Sequence, residues 1–248
     1  MSKNVIYQID LYHLAPKPFY FYEALANHTM PSMERYAKKI KADYIRVTDL
    51  PSGLSRVDNH YPRCCAAKFY LFRDFLKTDY DRLVIVDCDM FVNEQATNIF
   101  NEYPSQSVDF SACKLMSNNN SRHAKEVKIK YNRSVEQFYN GGIYLSGRKA
   151  AKLISNSIPQ NIEDYIGDFT GALHEEGSDG KYIHDQHFLG YVLDKENISV
   201  SPMNQKWNYN WGIQGKPKKQ SALDKAYFVH YAGSKGKDHL IKTIEEKK

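Results

Sequence analysis

The run RLVIVDCDMFVNE, residues 82–94, holds the residue types best suited to chemistry. Leu83, Val84, Ile85 and Val86 lead straight into two carboxylates, Asp87 and Asp89. On an extended chain, residues two apart project to the same side. Both acids therefore meet where an apolar strand opens to solvent. Paired carboxylate oxygens suit a hard divalent cation, Mn²⁺ or Mg²⁺, with substrate phosphates completing its shell. Open α/β sheets also form their ligand clefts at strand C-termini. Cys88 lies between the acids and should point the opposite way, into the core. A turn with helix-capping acids is the plainer alternative.

Three later segments follow in order: FYNGGIYLS at 138–146, HDQ at 184–186 and HYAGSKGK at 230–237. With Asp87-x-Asp89, this ordered set resembles the family 8 glycosyltransferases. These are retaining enzymes of GT-A fold that include glycogenin and bacterial lipopolysaccharide galactosyltransferases. The likeness runs over nearly the whole chain.

The resemblance implies a metal-dependent transfer of a hexose from a nucleotide sugar, a UDP-sugar in the first instance, to a carbohydrate or other hydroxyl acceptor. Asp87 and Asp89 match the family's acids that hold the cation on the donor diphosphate, and His230 matches its third protein ligand. Asp10 matches an acid at the end of the first strand that contacts the nucleoside. Lys68 falls near a basic residue that touches the donor and an acid of the site, with Arg63 a weaker match; a plain surface charge is the alternative for each. Asn140 matches an Asn that binds the donor sugar, while Gly141 and Gly142 would leave room for substrate beside the backbone. Asp185 would hydrogen-bond sugar hydroxyls, and Gln186 would lie near the anomeric carbon. The family pattern after the His is H-x-x-G-x-x-K. Gly233 fits it, but Gly236 stands where Lys is expected, leaving Lys235 and Lys237 as alternatives for the diphosphate. An amide such as Gln186 is a poor nucleophile, so retention is expected by a same-face route rather than by double displacement.

These residues need a scaffold that brings strand ends together. NVIYQI (4–9) reads as a first strand and DYIRVTD (43–49) as a second. Residues 18–41 are helical, interrupted around Thr29–Pro31. Cys65, Phe69, Phe72 and Leu76 recur at helical spacing within 63–77, just before the 82–87 strand. Strands are also expected at 108–114, 139–147, 198–204 and 226–233, with helices at 148–155, 184–194 and the C-terminus. Residues 117–133 are polar and aperiodic and read as a surface segment; 160–180 read as loop. Strand and helix alternate at βαβ spacing. The expectation is one α/β GT-A (Rossmann-like) domain over 1–248, with a mostly parallel mixed sheet flanked by helices.

Composition narrows the function classes. A net charge of +5 over 248 residues is compatible with a nucleotide diphosphate but too small and dispersed for nucleic acid. The densest basic stretch, KPKK at 216–219, reads as a solvated loop. The four cysteines show no zinc spacing and read as reduced thiols. No signal peptide or transmembrane run is recognisable. A soluble, cytoplasmic protein is expected, with a basic C-terminal region able to touch an anionic membrane surface.

Other functions compete. A sugar-1-phosphate nucleotidyltransferase would need a glycine-rich N-terminal loop, and no glycine precedes Gly53. A non-catalytic nucleotide-sugar or glycan-binding protein would not need the full acid and histidine set. His174, Glu175, Glu176, His184, Asp185 and His187 could ligate a separate metal, but no HExxH spacing is present and a substrate-facing loop fits better. Acceptor choice is expected to reside in residues 115–135 and 160–182.

Overall fold

The computed structural model describes residues 2–14, 19–50, 60–104, 109–115, 117–158, 185–211 and 220–246. The expected 160–180 loop and the KPKK stretch lie outside the described residues. In chain order the first half comprises β1 (Asn4–Ile9), α1 (Tyr22–Ala24), α2 (Met30–Ile40), β2 (Asp43–Val47), α3 (His60–Leu76), β3 (Arg82–Asp87), β4 (Met90–Val92) and α4 (Ile99–Glu102). The rest comprises β5 (Phe110–Lys114), α5 (Ser117–Tyr131), β6 (Tyr139–Gly147), α6 (Arg148–Asn156), α7 (Asp185–Lys195), β7 (Val200–Pro202), β8 (Tyr209–Asn210), α8 (Gln220–Leu223), β9 (Phe228–His230) and α9 (Gly233–Glu245).

The main sheet has the order β2-β1-β3-β6-β5-β7. β1 pairs parallel with β2 and β3, and β5 pairs parallel with β7, while β6 runs antiparallel to both neighbours. The α/β class and the mixed, mostly parallel sheet are as expected. β1, β3 and β6 are buried along nearly their full lengths, so they read as continuous apolar runs. Alternation still sorts their side chains. Val5, Tyr7, Leu83, Ile85 and Tyr144 pack against Phe69, Phe72 and Phe75 of α3 and Ile154 of α6. Ile6, Val84, Val86, Ile143 and Leu145 pack on the other face against Met33, Tyr36, Trp207 and Phe228.

A second sheet, β4-β9-β8, is what positions His230. Its strands have only two or three residues, too few to show a period. Met90 of β4 lies opposite His230 of β9, and the Tyr231 amide donates to the Asp89 carbonyl at 3.0 Å. The expected 226–233 strand therefore stops at His230. Gly233, at φ +67°, takes the left-handed conformation that favours glycine as the chain turns into α9.

Two helical expectations change. The interruption near Thr29 is a π-helical turn, Leu25–Thr29, running directly into α2. The Thr29 hydroxyl donates to the Leu25 carbonyl and to the Cys88 carbonyl between the two acids. Residues 117–133 do not form an irregular surface segment: Ser117–Tyr131 is helix α5. Its buried face carries His123, Glu126 and Val127. Polar side chains occupy positions where hydrophobic periodicity looks for apolar ones. The Asn120 side chain adds another non-apolar tie, accepting from the Phe138 amide at 2.7 Å.

Candidate active site

β3 ends at Asp87, and the turn into β4 supplies Asp89. β9 brings His230 alongside. Ligand-type atoms of all three lie within 4.8 Å of one another. His230 Nε2 is 3.2 Å from Asp89 Oδ1 and 3.9 Å from Asp87 Oδ2. Two carboxylates and one imidazole form a donor set suited to Mn²⁺, more so than to Mg²⁺, which prefers oxygen alone.

Charges around the acids are unequal. Lys237 Nζ lies 2.7 Å from Asp89 Oδ2 and is buried with it. Burial opposes ionisation of Asp89, but Lys237 and His230 outweigh it and hold the carboxyl well below the ordinary carboxylate range. Burial likewise works against the Lys237 ammonium, and Asp89 more than restores it, raising that pKa. Asp87 behaves differently. Burial pushes its carboxyl upward, with Asp89 adding to the rise and Lys68 opposing it. The two acids thus differ: Asp89 is held ionised by Lys237 and His230, while burial works against ionisation of Asp87.

Lys68 of α3 joins the acid pair to α7. Its ammonium contacts Asp87 Oδ1 at 2.8 Å, Asp185 Oδ2 at 2.7 Å and the Gly141 carbonyl at 2.8 Å. These three acceptors match its three donors. Burial disfavours the charged amine, but Asp185 and Asp87 hold its pKa well above the usual lysine range. Asp185 opens α7 and is itself buried; Gln186 beside it is half-buried.

The glycine pair of β6 packs tightly against other residues of the site. A Cβ on Gly141 would stand 2.5 Å from Asp185 Oδ2 and 3.1 Å from Lys68 Nζ. A Cβ on Gly142 would meet the His230 ring, with Cε1 at 2.6 Å. Side chains of the site fill the space beside these glycines, so the backbone approaches protein groups there rather than an open substrate slot.

Asn140 accepts, through Oδ1, from the Gly142 amide at 2.9 Å and from Asn208 Nδ2 at 2.7 Å. Asn208 Oδ1 lies 3.0 Å from His230 Nδ1. With Nδ1–H donated to Asn208, Nε2 is the nitrogen turned to the carboxylates. Asn208 is a residue that sequence reasoning misses, because nothing in WNYN marks its spacing. Only its buried neighbour Trp207, anchored through Nε1 to Glu102 at 3.0 Å, hints at a fixed position. Asn208→Leu is expected to weaken Mn²⁺ binding about 10- to 100-fold, the usual effect of losing an outer partner of a ligating His. A Mn²⁺ titration followed by electron paramagnetic resonance checks this.

The remaining expected residues fall as follows. Asp10, fully buried at the end of β1, is held by Arg46 Nε at 2.7 Å and by the Tyr22 hydroxyl at 3.2 Å. The Cys88 side chain packs with Leu25, Met30 and Val229, so only its backbone borders the site. Gly236 has no room for a side chain, since a Cβ would come within 2.5 Å of the Tyr231 backbone. That explains why Lys is absent there. Of the flanking pair, Lys237 is buried against Asp89 and Lys235 is exposed. The Arg63 side chain, His174, Glu175, Glu176 and His184 lie outside the described residues. His187 is brought together with His123 and Glu126 rather than with the acid pair.

No family model matches this sequence, and neither does any curated protein sequence. Its fold does match solved structures. A glycosyltransferase involved in glycosylation of the major capsid of PBCV-1 superposes with a TM-score of 0.58 at 11% identity, covering 97% of this chain and 99% of that one. The galactosyltransferase LgtC, solved with donor and acceptor sugar analogs, gives 0.54 at 13% identity, with 98% and 95% covered. The bifunctional glycosyltransferase WbbM gives 0.53 at 16%, covering 98% of this chain and 49% of that one. The chain thus has the α/β fold of GT-A glycosyltransferases over nearly its whole length. Among the described residues, no helix is long and apolar enough to cross a membrane.

Proposed function

We propose that this chain is a metal-dependent glycosyltransferase, one catalytic domain that moves a hexose from a UDP-sugar to a carbohydrate or other hydroxyl acceptor with retention. The observation that carries this reading is the convergence of Asp87, Asp89 and His230 at the end of β3, with Lys237 on one side and Lys68–Asp185 on the other. The fold similarity to known glycosyltransferases supports it.

Asp87, Asp89 and His230 would hold Mn²⁺, which supplies positive charge to a departing diphosphate. Lys237 adds a second, fixed cation beside Asp89 for the same phosphates. Lys68 fixes Asp185, the residue that in this reading hydrogen-bonds sugar hydroxyls. Gln186, one residue on and half-buried, carries an amide, which is a poor nucleophile. Retention then follows from a same-face exchange, in which the leaving phosphate oxygen accepts the acceptor's proton. Asp10, with Arg46 and Tyr22, forms the polar end of the nucleoside side.

A panel of nucleotide sugars incubated with Mn²⁺ tests the reading through release of free nucleotide diphosphate. One UDP-sugar should be hydrolysed well above the rest, and Gln186→Ala should keep measurable turnover. Hydrolysis of none of them would sink the proposal. In the same assay, Lys237→Met should raise the donor KM at least about tenfold, as expected for a lost charge-assisted contact. Lys235→Met should leave it within about twofold, as an exposed charge does. Equal effects would remove Lys237 from the site.

A further inference from the structure

We propose that His123, Glu126 and His187 form a second metal site, one that takes Zn²⁺ and ties α5 to α7. One ligand atom from each residue lies within 4.8 Å of the others, and all three residues are buried. His123 and Glu126 are three apart on α5, so they share one helical face. His187 faces them from the first turn of α7. Two imidazoles and one carboxylate are an established three-ligand Zn²⁺ set, with water filling the fourth position.

The three side chains are held close by their surroundings. Glu126 Oε2 contacts His187 Nε2, while Glu126 Oε1 accepts from Arg122 Nε at 2.9 Å. Arg122, mostly exposed, acts as the outer partner that orients a ligating carboxylate. The His123 and His187 rings lie stacked at 3.9 Å, 7° from parallel. Phe138 closes the apolar wall, its ring 5.7 Å from that of His123 and 6.4 Å from that of His187. Val127 and Val135 pack behind Phe138.

Ligand atoms around tetrahedral Zn²⁺ sit roughly 3.3–3.5 Å apart. Parallel stacked rings cannot both aim a nitrogen at one ion, so loading requires His123 to rotate out of the stack. The consequence reaches the first site, because α7 opens at Asp185, two residues before His187. A metal here would fix the helix that carries Asp185 against Lys68. The inference does not rest on the glycosyltransferase reading: it needs only α5 and α7.

The test uses the full chain with Asp87→Asn and Asp89→Asn, which silence the first cluster, titrated with Co²⁺. One equivalent should bind with the visible absorption of tetrahedral cobalt, and one equivalent of Zn²⁺ should displace it. Adding His123→Gln or Glu126→Gln should weaken binding by at least about 100-fold, beyond the loss of an outer partner. In the same Asp87→Asn, Asp89→Asn chain, Zn²⁺ should raise the melting temperature, and adding Glu126→Gln should abolish that rise. Absence of a tetrahedral cobalt spectrum, or a titration that His123→Gln and Glu126→Gln leave unchanged, would overturn the proposal. The cluster would then be a His187–Glu126 contact that holds no metal.

Discussion

Lys68→Met should lower stability by about 3–5 kcal/mol and remove all turnover, the larger of the two effects expected from single substitutions. The size follows from what the ammonium leaves behind. Breaking a buried ion pair by deleting one partner strands the other charge, which costs about that much. Here one amine serves two carboxylates, Asp87 at 2.8 Å and Asp185 at 2.7 Å, and the Gly141 carbonyl as well. Methionine has the length and apolar character to fill the space without donating. Asp87 is already pushed upward by burial, so it can take a proton and limit the loss. Adding Asp185→Asn to Lys68→Met removes one stranded charge and should recover part of the stability, while turnover stays lost. Urea unfolding of the three proteins checks the order. A Lys68→Met midpoint equal to wild type would mean that the buried triad is not formed in solution.

Gly142→Ala should be the most damaging change of a single methyl group. The added carbon would sit 2.6 Å from Cε1 of His230 and 3.1 Å from Asn208 Oδ1. Neither neighbour can give way easily. The imidazole is buried between Gly142 and Asp89, and Asn208 is tied to Asn140. The ring must rotate away from the carboxylates, so Mn²⁺ affinity should fall at least about 100-fold, more than removal of an outer partner produces. Overpacking should cost about 1–3 kcal/mol of stability. Gly147→Ala is the internal control on the same strand. Its Cβ would have the Asp109 carbonyl at 3.7 Å, an ordinary contact. Calorimetric Mn²⁺ titration of the two variants compares them directly; equal affinities would contradict the packing argument.

Much of this fold is legible in the sequence where burial is continuous. The strands at 4–9, 82–87 and 139–147 have the expected boundaries, because strands covered on both faces are written as unbroken apolar runs. Asp87 and Asp89 stand out because they follow one such run, whereas His230 and Asp185 are singled out by the ordered set of motifs that resembles a known family. Illegible features fail for physical reasons. The β4-β9-β8 sheet, which carries His230 to Asp89, has strands too short for a period. Helix α5 buries His123 and Glu126 where an amphipathic pattern would place leucines. Asn208 acts through a hydrogen bond to His230, and no spacing rule announces that. The glycines at 141 and 142 signal a close approach, but what approaches is set by α3, α7 and β9, each distant in sequence.

The central claim is that Asp87, Asp89 and His230 bind a nucleotide diphosphate through a divalent cation. Calorimetry of the full chain with UDP and Mn²⁺, repeated with EDTA and with Asp89→Asn, tests it most directly. The account predicts UDP binding only when Mn²⁺ is present, and its loss in the variant. UDP binding that persists unchanged with EDTA or in Asp89→Asn, or no binding of UDP under any metal condition, would contradict it.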